Sequence, residues 1–502
     1  MPGLWASFNN NMIMAAAQGF LARSGNQELT LSWDRVRIRP IRDSDENVLQ
    51  YGSNDSWAVL RLLCGEAHLR VGYLSIPLMM MDRPKSQQVL AAHPLRNLHT
   101  LHLACGDSNY ASDPFATLQP EALRELSVIG FIQRMDWRRA VQWLCHLRTM
   151  TLNFDRIWSL AAEYSGLPAA MSSSQAIELL SAIAEIASLE SLRMLNLPED
   201  MGVEGLDASK FTLTACRNVE LSGDEDAVGA LLGALALHPE VRLRVNIRLR
   251  EPDTAPSRSL ACSAILAHLS RVDAPLSSVL FEHTSDQPVF GLLPARNHST
   301  VNPRWKLEAH RSERPDEGSA PNLTVSFQSS SRTGDGRAWD TLSSEDGELA
   351  RIVNAMGNGT VALHLSAEDG DAARVTQDVL RQRLKGWTKV EHLYVSGAEL
   401  KGVVISELSN GSRSERGILF PRLQILTLVN DGLDAKRAAA STVEGYEIRG
   451  GSLWIPKLIH MLQKRSSAGV PIQYLQVPSH LERTQTEAWY RDLVSLVDVV
   501  TF

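Results

Sequence analysis

The 502-residue chain has few of the features that most directly betray a function. Only five cysteines occur, Cys64, Cys105, Cys145, Cys216 and Cys262, and no two form a Cys-x-x-Cys pair. This excludes a patterned disulfide framework and the common zinc spacings, and it predicts reduced thiols in a cytoplasmic or nuclear protein. An excess of positive charge is also missing. The net charge is −7, so no general basic field is offered to nucleic acid, and none is expected as a partner. The longest apolar run, Val228 to Leu237, falls well short of the roughly 20 residues that span a bilayer, and no membrane partner is expected. Met12 to Ala22 has the apolar character of a secretory leader, but Asn9, Asn10 and Asn11 stand where basic residues would precede it. Catalytic signatures are absent as well: Gly-x-x-x-x-Gly-Lys, Gly-x-Ser-x-Gly and His-Glu-x-x-His do not occur. The chain is therefore expected not to be an enzyme, with no catalytic, cofactor or metal residues assigned.

What is present is a returning phrase, Leu-x-x-Leu-x-Leu. It occurs at Leu98-Leu101-Leu103, Leu123-Leu126-Val128, Leu147-Met150-Leu152 and Leu192-Leu195-Leu197, and again at Val390-Leu393-Val395, Leu423-Leu426-Leu428 and Ile472-Leu475-Val477. The last three positions alternate apolar, polar, apolar, the period of a strand with one buried face. Helical stretches lie between copies, among them Met14 to Ser24, Asp136 to Leu147, Ser173 to Leu189, Asp224 to His238, Ser343 to Met356, Ala372 to Trp387, Ile455 to Arg465 and Thr486 to Val500. A strand and a helix cannot bury their apolar faces alone and must stack on their neighbours. The expected fold class is α/β: an irregular leucine-rich-repeat solenoid, a curved parallel sheet with helices on its outer face. The irregularity is plain in the spacing. Leu98 to Leu123 is 25 residues and Leu123 to Leu147 is 24, but Leu147 to Leu192 is 45 and Leu423 to Ile472 is 49. Gly106, Asp155 and Asp200 stand where a regular repeat keeps asparagine, so an asparagine ladder is not expected.

The rhythm breaks between His283 and Pro321, a stretch rich in proline, serine and charge. The expected organisation is an N-terminal segment at 1–50, a first half at 51–282, a long loop or hinge at 283–321, and a second half at 322–502. The last of these is expected to end in a capping helix.

In such an architecture the polar residues between alternating leucines line the concave sheet. Thr100, His102, Thr151, Asn196, Tyr394, Thr427 and Gln476 are therefore candidate partner contacts, Tyr394 first because aromatics anchor interfaces. Arg242, Arg244, Arg248 and Arg250 alternate with Val241, Leu243, Val245, Ile247 and Leu249, so one strand face gathers guanidinium groups able to grip an acidic or phosphorylated segment. Arg35, Arg37 and Arg39 repeat the pattern. The competing explanation is a solvated strand face whose arginines pair with neighbouring carboxylates. His99, His102 and Cys105 invite a metal reading, but residues three apart on a strand point to opposite faces.

The opening Pro2-Gly3-Leu4-Trp5-Ala6-Ser7, with Phe20-Leu21-Ala22-Arg23-Ser24-Gly25 and Leu29-Thr30-Leu31-Ser32, resembles basidiomycete F-box proteins. In these, Pro-x-Leu-Trp follows the F-box and a Trp-Leu-x-Arg-Ser-Gly-x-x-Pro-Leu-x-Leu segment leads into leucine-rich repeats. Phe420 to Leu428, Leu458 to Arg465 and Pro471 to Val477 resemble the last repeats of the same family. Phe20 stands for its tryptophan and Glu28 for its proline. The resemblance implies a non-enzymatic interaction scaffold, similar to the substrate-recognition part of a ubiquitin-ligase receptor, that binds an as yet unidentified protein. The F-box would precede Pro2, so contact with the Skp adaptor is expected only if an F-box exists upstream. The alternative expectation is a truncated paralogue without ligase docking, acting as a competitor or without function.

Overall fold

A computed structural model of the chain describes residues 6–9, 12–32, 54–77, 84–105, 114–130, 132, 135–154, 171–198, 201–203, 211–249, 260–271, 278–285, 303–310, 321–329, 352, 355–356, 360–367, 384, 387–410, 418–429, 454–478, 481 and 488–502. The protein is α/β, with parallel sheet and connecting helices, and divides into two compact units, Met1–Val241 and Arg242–Phe502. The expected helix 372–387 lies almost wholly outside the described residues, as do most of 343–356, Arg35, Arg37, Arg39, Arg250, and the three ladder positions Gly106, Asp155 and Asp200.

In the first unit the strands β1 (Ser7–Asn9), β2 (Leu29–Ser32), β3 (Val71–Pro77), β4 (Thr100–Cys105), β5 (Glu125–Gly130), β6 (Thr149–Asn153) and β7 (Ser191–Leu197) pair in parallel in chain order. A small pair, β8 (Phe211–Leu213) with β10 (Leu235–Leu237), stands apart, and β9 (Asn218–Asp224) continues the main sheet beyond β7. Leu74, Leu101, Leu126, Met150, Leu192 and Val219 form one buried row across the strands, and Ile76, Leu103, Val128, Leu152, Met194 and Leu221 the next. Helices α1 (Met14–Ser24), α2 (Asn54–Glu66), α3 (Pro84–Ala92), α4 (Pro114–Leu118), α5 (Trp137–Ala140), α6 (Ser173–Glu185) and α7 (Glu225–Ala234) form the connections, and add Leu63, Leu90, Phe115, Leu118, Trp137 and Ile183 to the core.

Local chemistry sets these helices. α6 opens on a capping box, in which Ser172 accepts from the Gln175 N–H and the Gln175 side chain accepts from the Ser172 N–H. Asp136 caps α5 by accepting from the Arg139 N–H. Three expected helices are shorter than their apolar patterns suggest. The 136–147 segment is one α turn followed by a 3₁₀ turn at Val141–Trp143, and 224–238 ends at Ala234 because Leu235–Leu237 pairs with β8. At the C-terminus, α11 (Ala488–Leu496) gives way to a final strand at Val499–Thr501, whose backbone groups find partners in the sheet.

The phase of one repeat differs from the expected Leu192-Leu195-Leu197. Leu189 closes the turn through its N–H to the Ile186 carbonyl, as Leu147 does with Leu144, so the phrase runs Leu189-Leu192-Met194. The strand then slips register between Met194 and Leu197, Leu195 leaves the core, and Asn196 adopts φ 53°. Gly223 opposite Leu197 permits this close approach: a Cβ there would stand 2.7 Å from the Leu197 Cβ. Further copies of the phrase are Val71-Leu74-Ile76, Cys216-Val219-Leu221 and, in the second unit, Thr360-Leu363-Leu365, all buried.

In the second unit, β11 (Arg242–Leu249) pairs in parallel with β14 (Leu323–Ser329), which pairs antiparallel with β13 (Pro303–His310), itself antiparallel to β12 (Ser278–Ser285). The segment expected as a loop or hinge at 283–321 thus contains a sheet strand, with Leu307 and Ala309 buried at alternate positions. The parallel run then resumes from β12 through β15 (Ala362–Ala367), β16 (His392–Ser396), β17 (Ile425–Val429), β18 (Tyr474–Gln476) and β19 (Val499–Thr501). Helices α8 (Leu260–Ser270), α9 (Ala398–Asn410) and α10 (Ile455–Ser467) precede α11, and α9 packs on α10 and α10 on α11. Arg465 of α10, 1% exposed, donates to the Leu419 and Phe420 carbonyls at 2.9 and 2.8 Å. It thereby ties down a turn in which Phe420 holds φ 50°. Burial pushes this guanidinium down to about 10.

One joint recurs in both units. The carbonyl of His99 accepts the N–H groups of Arg124 and Glu125 at 2.8 and 2.9 Å, and those of Arg124, Arg148 and Glu190 serve the next strand in the same way. Val361, Glu391 and Gln424 repeat it in the second unit. Each of these strands is started by one peptide oxygen of its neighbour in the sheet.

Candidate partner-binding face

Strand alternation gives each unit a polar sheet face opposite the leucine rows. In the first unit the register aligns Tyr73, Thr100, Glu125, Thr149, Ser191 and Asn218 in one row. Ser75, His102, Ser127, Thr151, Arg193 and Glu220 form the next. His102 and Thr151 therefore share a row, separated by Ser127, while Thr100 belongs to the row beside them. His102 is half-buried against the Tyr73 ring, with centroids 5.1 Å apart. Thr100 is buried; its hydroxyl lies 3.1 Å from His99 Nδ1 and 3.5 Å from Glu125 Oε2. Arg193 Nε donates to Glu220 Oε2 at 2.8 Å. Asn196 belongs to neither row. At the slip after Met194 its amide turns to donate to Asn153 Oδ1 at 2.9 Å, and Arg193 takes the position expected of it.

His99 does not share a site with His102. Its Nε2 pairs with Glu28 Oε1 at 2.8 Å, and the Glu28 side chain lies over Gly72, where a Cβ would collide with it. Among the described residues no group of three His, Cys, Asp or Glu is placed to hold a metal ion.

In the second unit His364, Tyr394, Thr427, Gln476 and Thr501 form one row. The His364 and Tyr394 rings stack at 4.1 Å with planes 7° apart. Tyr394 and Gln476 are half-exposed, but Thr427 between them is only 6% exposed, its short side chain lying below two longer neighbours. Thr427 and Thr100 are thus floor positions rather than the open contacts expected of them. Tyr474, one row away, joins Thr501 through hydroxyls 2.8 Å apart.

Arg242, Arg244 and Arg248 are exposed on β11, with Val245 and Ile247 buried between them; Arg250 lies outside the described residues. Sequence reading missed His364, Tyr73 and Arg193. His364 sits in a phrase that begins with Thr360, and Arg193 was hidden by the three-residue error of phase.

The chain matches no family model and no curated protein. No helix among the described residues is long and apolar enough to cross a membrane.

Proposed function

We propose that this chain is a non-enzymatic protein-interaction scaffold, a leucine-rich-repeat-like solenoid whose polar sheet face receives a protein partner. The observation that carries the reading is the row His364, Tyr394, Thr427 and Gln476, in which a stacked aromatic pair stands beside amide and hydroxyl groups on adjacent parallel strands. Rigid, half-exposed aromatics with few rotamers are favourable interface anchors. The recurrent peptide joint supports the repeat architecture, and the shared phrases near both ends support descent from a substrate receptor of F-box type. Docking to the Skp adaptor belongs to this proposal only for a form carrying an F-box. The scattered, unpatterned cysteines of the sequence support a cytoplasmic or nuclear location within this proposal.

The test is to identify partners by crosslinking the tagged full chain in cells, then to measure direct affinity with Tyr394→Ala and His364→Ala variants. Loss of a central anchor weakens binding by about 2 kcal/mol, roughly thirtyfold. Unchanged affinity after replacement of the exposed rows in both units would sink the proposal.

A further inference from the structure

Building on the reading of the sheet as a protein-binding face, we propose that the polar face of β16–β19 docks a proline-rich segment of the partner in the polyproline II conformation, laid across the strands. The relief of one row supplies the argument. Tyr394, Thr427, Gln476 and Thr501 follow one another on adjacent parallel strands, long and short side chains in turn. Tyr394 and Gln476 are half-exposed, whereas Thr427 between them is a buried floor. Strands lie about 4.8 Å apart, so this corrugation repeats every two strands, or about 9.6 Å. A polyproline II helix rises about 3.1 Å per residue with three residues per turn, so prolines at i and i+3 stand about 9.3 Å apart on one side. Two such rings meet the two short positions, one over Thr427 between Tyr394 and Gln476, the next over Thr501. The α-helical pitch of about 5.4 Å does not match that period, nor does the spacing of about 6.8 Å between same-side residues of an extended strand.

The chemistry of the walls agrees with the spacing. His364 stacks on Tyr394 and so fixes the ring that flanks the first recess. Beside the second, Tyr474 reaches from the neighbouring row to Thr501, and Val499 is 46% exposed. Prolyl rings pack against rigid aromatic and aliphatic surface of this kind. A polyproline II backbone makes no hydrogen bonds to itself, so its carbonyls take donors from the host. The Tyr394 hydroxyl and the Gln476 amide can both donate, and neither has a hydrogen-bond partner among the described residues. Charge narrows the choice further. From β15 to β19 the rows through Tyr474 and Gln476 contain no Asp, Glu, Lys or Arg. The polar face of the first unit, by contrast, carries Glu125, Arg193 and Glu220. A phosphorylated or acidic segment would lose water over the neutral rows without meeting a counter-charge, whereas a proline-rich one brings no charge to desolvate.

The full chain is titrated into fluorescein-labelled decaproline and, separately, a labelled Gly-Ser decapeptide, with cellohexaose as a competitor to test for a neutral glycan. The expected result is affinity for decaproline at least about tenfold above that for the Gly-Ser peptide, undisturbed by the oligosaccharide. Tyr394→Ala and Tyr474→Ala should each weaken it about tenfold, and Thr427→Leu, which fills the first recess, should abolish it. Photo-crosslinking decaproline to the unmodified chain should label β16–β19, a readout that needs no variant to fold. Equal affinity for both peptides, displacement of decaproline by cellohexaose, or crosslinks confined to other strands would each overturn the proposal. Partner binding that still depends on Tyr394 would show that such a failure leaves the scaffold reading intact.

Discussion

The two units share a peptide joint that begins several of their strands, but they order those strands differently. From β1 to β7 in the first unit, sheet order is chain order and all pairs are parallel, so every strand begins again at the same edge-on end of the sheet as the one before it. In the second, β14, β13 and β12 intervene between β11 and β15, and β13 runs against its neighbours. There the shared carbonyl is replaced by single links, Leu243 N–H to the Asn322 carbonyl and Asn322 N–H to the Ala309 carbonyl. The contrast separates two requirements. Alternation of apolar and polar residues keeps a strand in the sheet whichever way it runs, whereas the doubly accepting carbonyl needs parallel neighbours.

The sharpest way to break the comparison is Ala309→Pro. β13 is paired on both sides, so a proline there removes a ladder hydrogen bond and costs about 3 kcal/mol or more. Hydrogen exchange should show lost protection across β12–β14 while β4–β6 remain protected. Loss in both units together would mean that they do not behave as separate bodies. Leu152→Ala in the first unit should cost about 3 kcal/mol, since this buried side chain sits in a complete leucine row; urea denaturation measures it. Arg465→Met in the second unit leaves the Leu419 and Phe420 carbonyls without their donor. Relief of the buried charge offsets part of the loss, so about 2 kcal/mol is expected in the same assay, and no change would remove Arg465 as the fastening of that turn.

Smaller effects test local packing. Gly72→Ala should displace Glu28 from His99 at a cost below about 1 kcal/mol, because the pair is exposed and the side chain can swing away. At pH 8, alkylation of the native chain should reach the exposed Cys145 and spare Cys64, whose thiol burial pushes up to about 12. Above its ordinary value of 9.0 the unfolded chain releases this proton while the native chain keeps it. Stability contributed by Cys64 is therefore lost as pH climbs from 9 toward 12. Equal labelling of Cys64 and Cys145 under native conditions would contradict the burial.

The α/β class and most strands were legible because Leu, Ile and Val at alternate positions signal one buried face directly. Legibility failed where another residue occupies a leucine position. Cys216 fills one such position, its thiol 3.2 Å from the Asn218 carbonyl, and Thr360 fills another, donating to the Met356 carbonyl at 3.0 Å. At Leu195 the reverse occurred: a leucine with the right spacing lies outside the core because the chain bulges after Met194. That displacement made Asn196 look like a face residue and concealed Arg193. The candidate face was half legible. Tyr394 and Gln476 are where the phrase puts them, but the stacking of His364 on Tyr394 and the alternation of long and short side chains from Tyr394 to Thr501 depend on pairings between segments far apart in the chain.

The shared carbonyl has a consequence for how such a chain can change over generations. His99, Arg124, Arg148, Glu190, Val361, Glu391 and Gln424 perform one task with bases, acids, an amide and an aliphatic, because the task belongs to their main-chain oxygen. A mutation at any of them leaves the seam between neighbours closed, and a duplicated or deleted segment can splice in wherever the same oxygen is presented. The surface beside each seam is thereby free to be rewritten, one strand at a time, without reopening the fold beneath it.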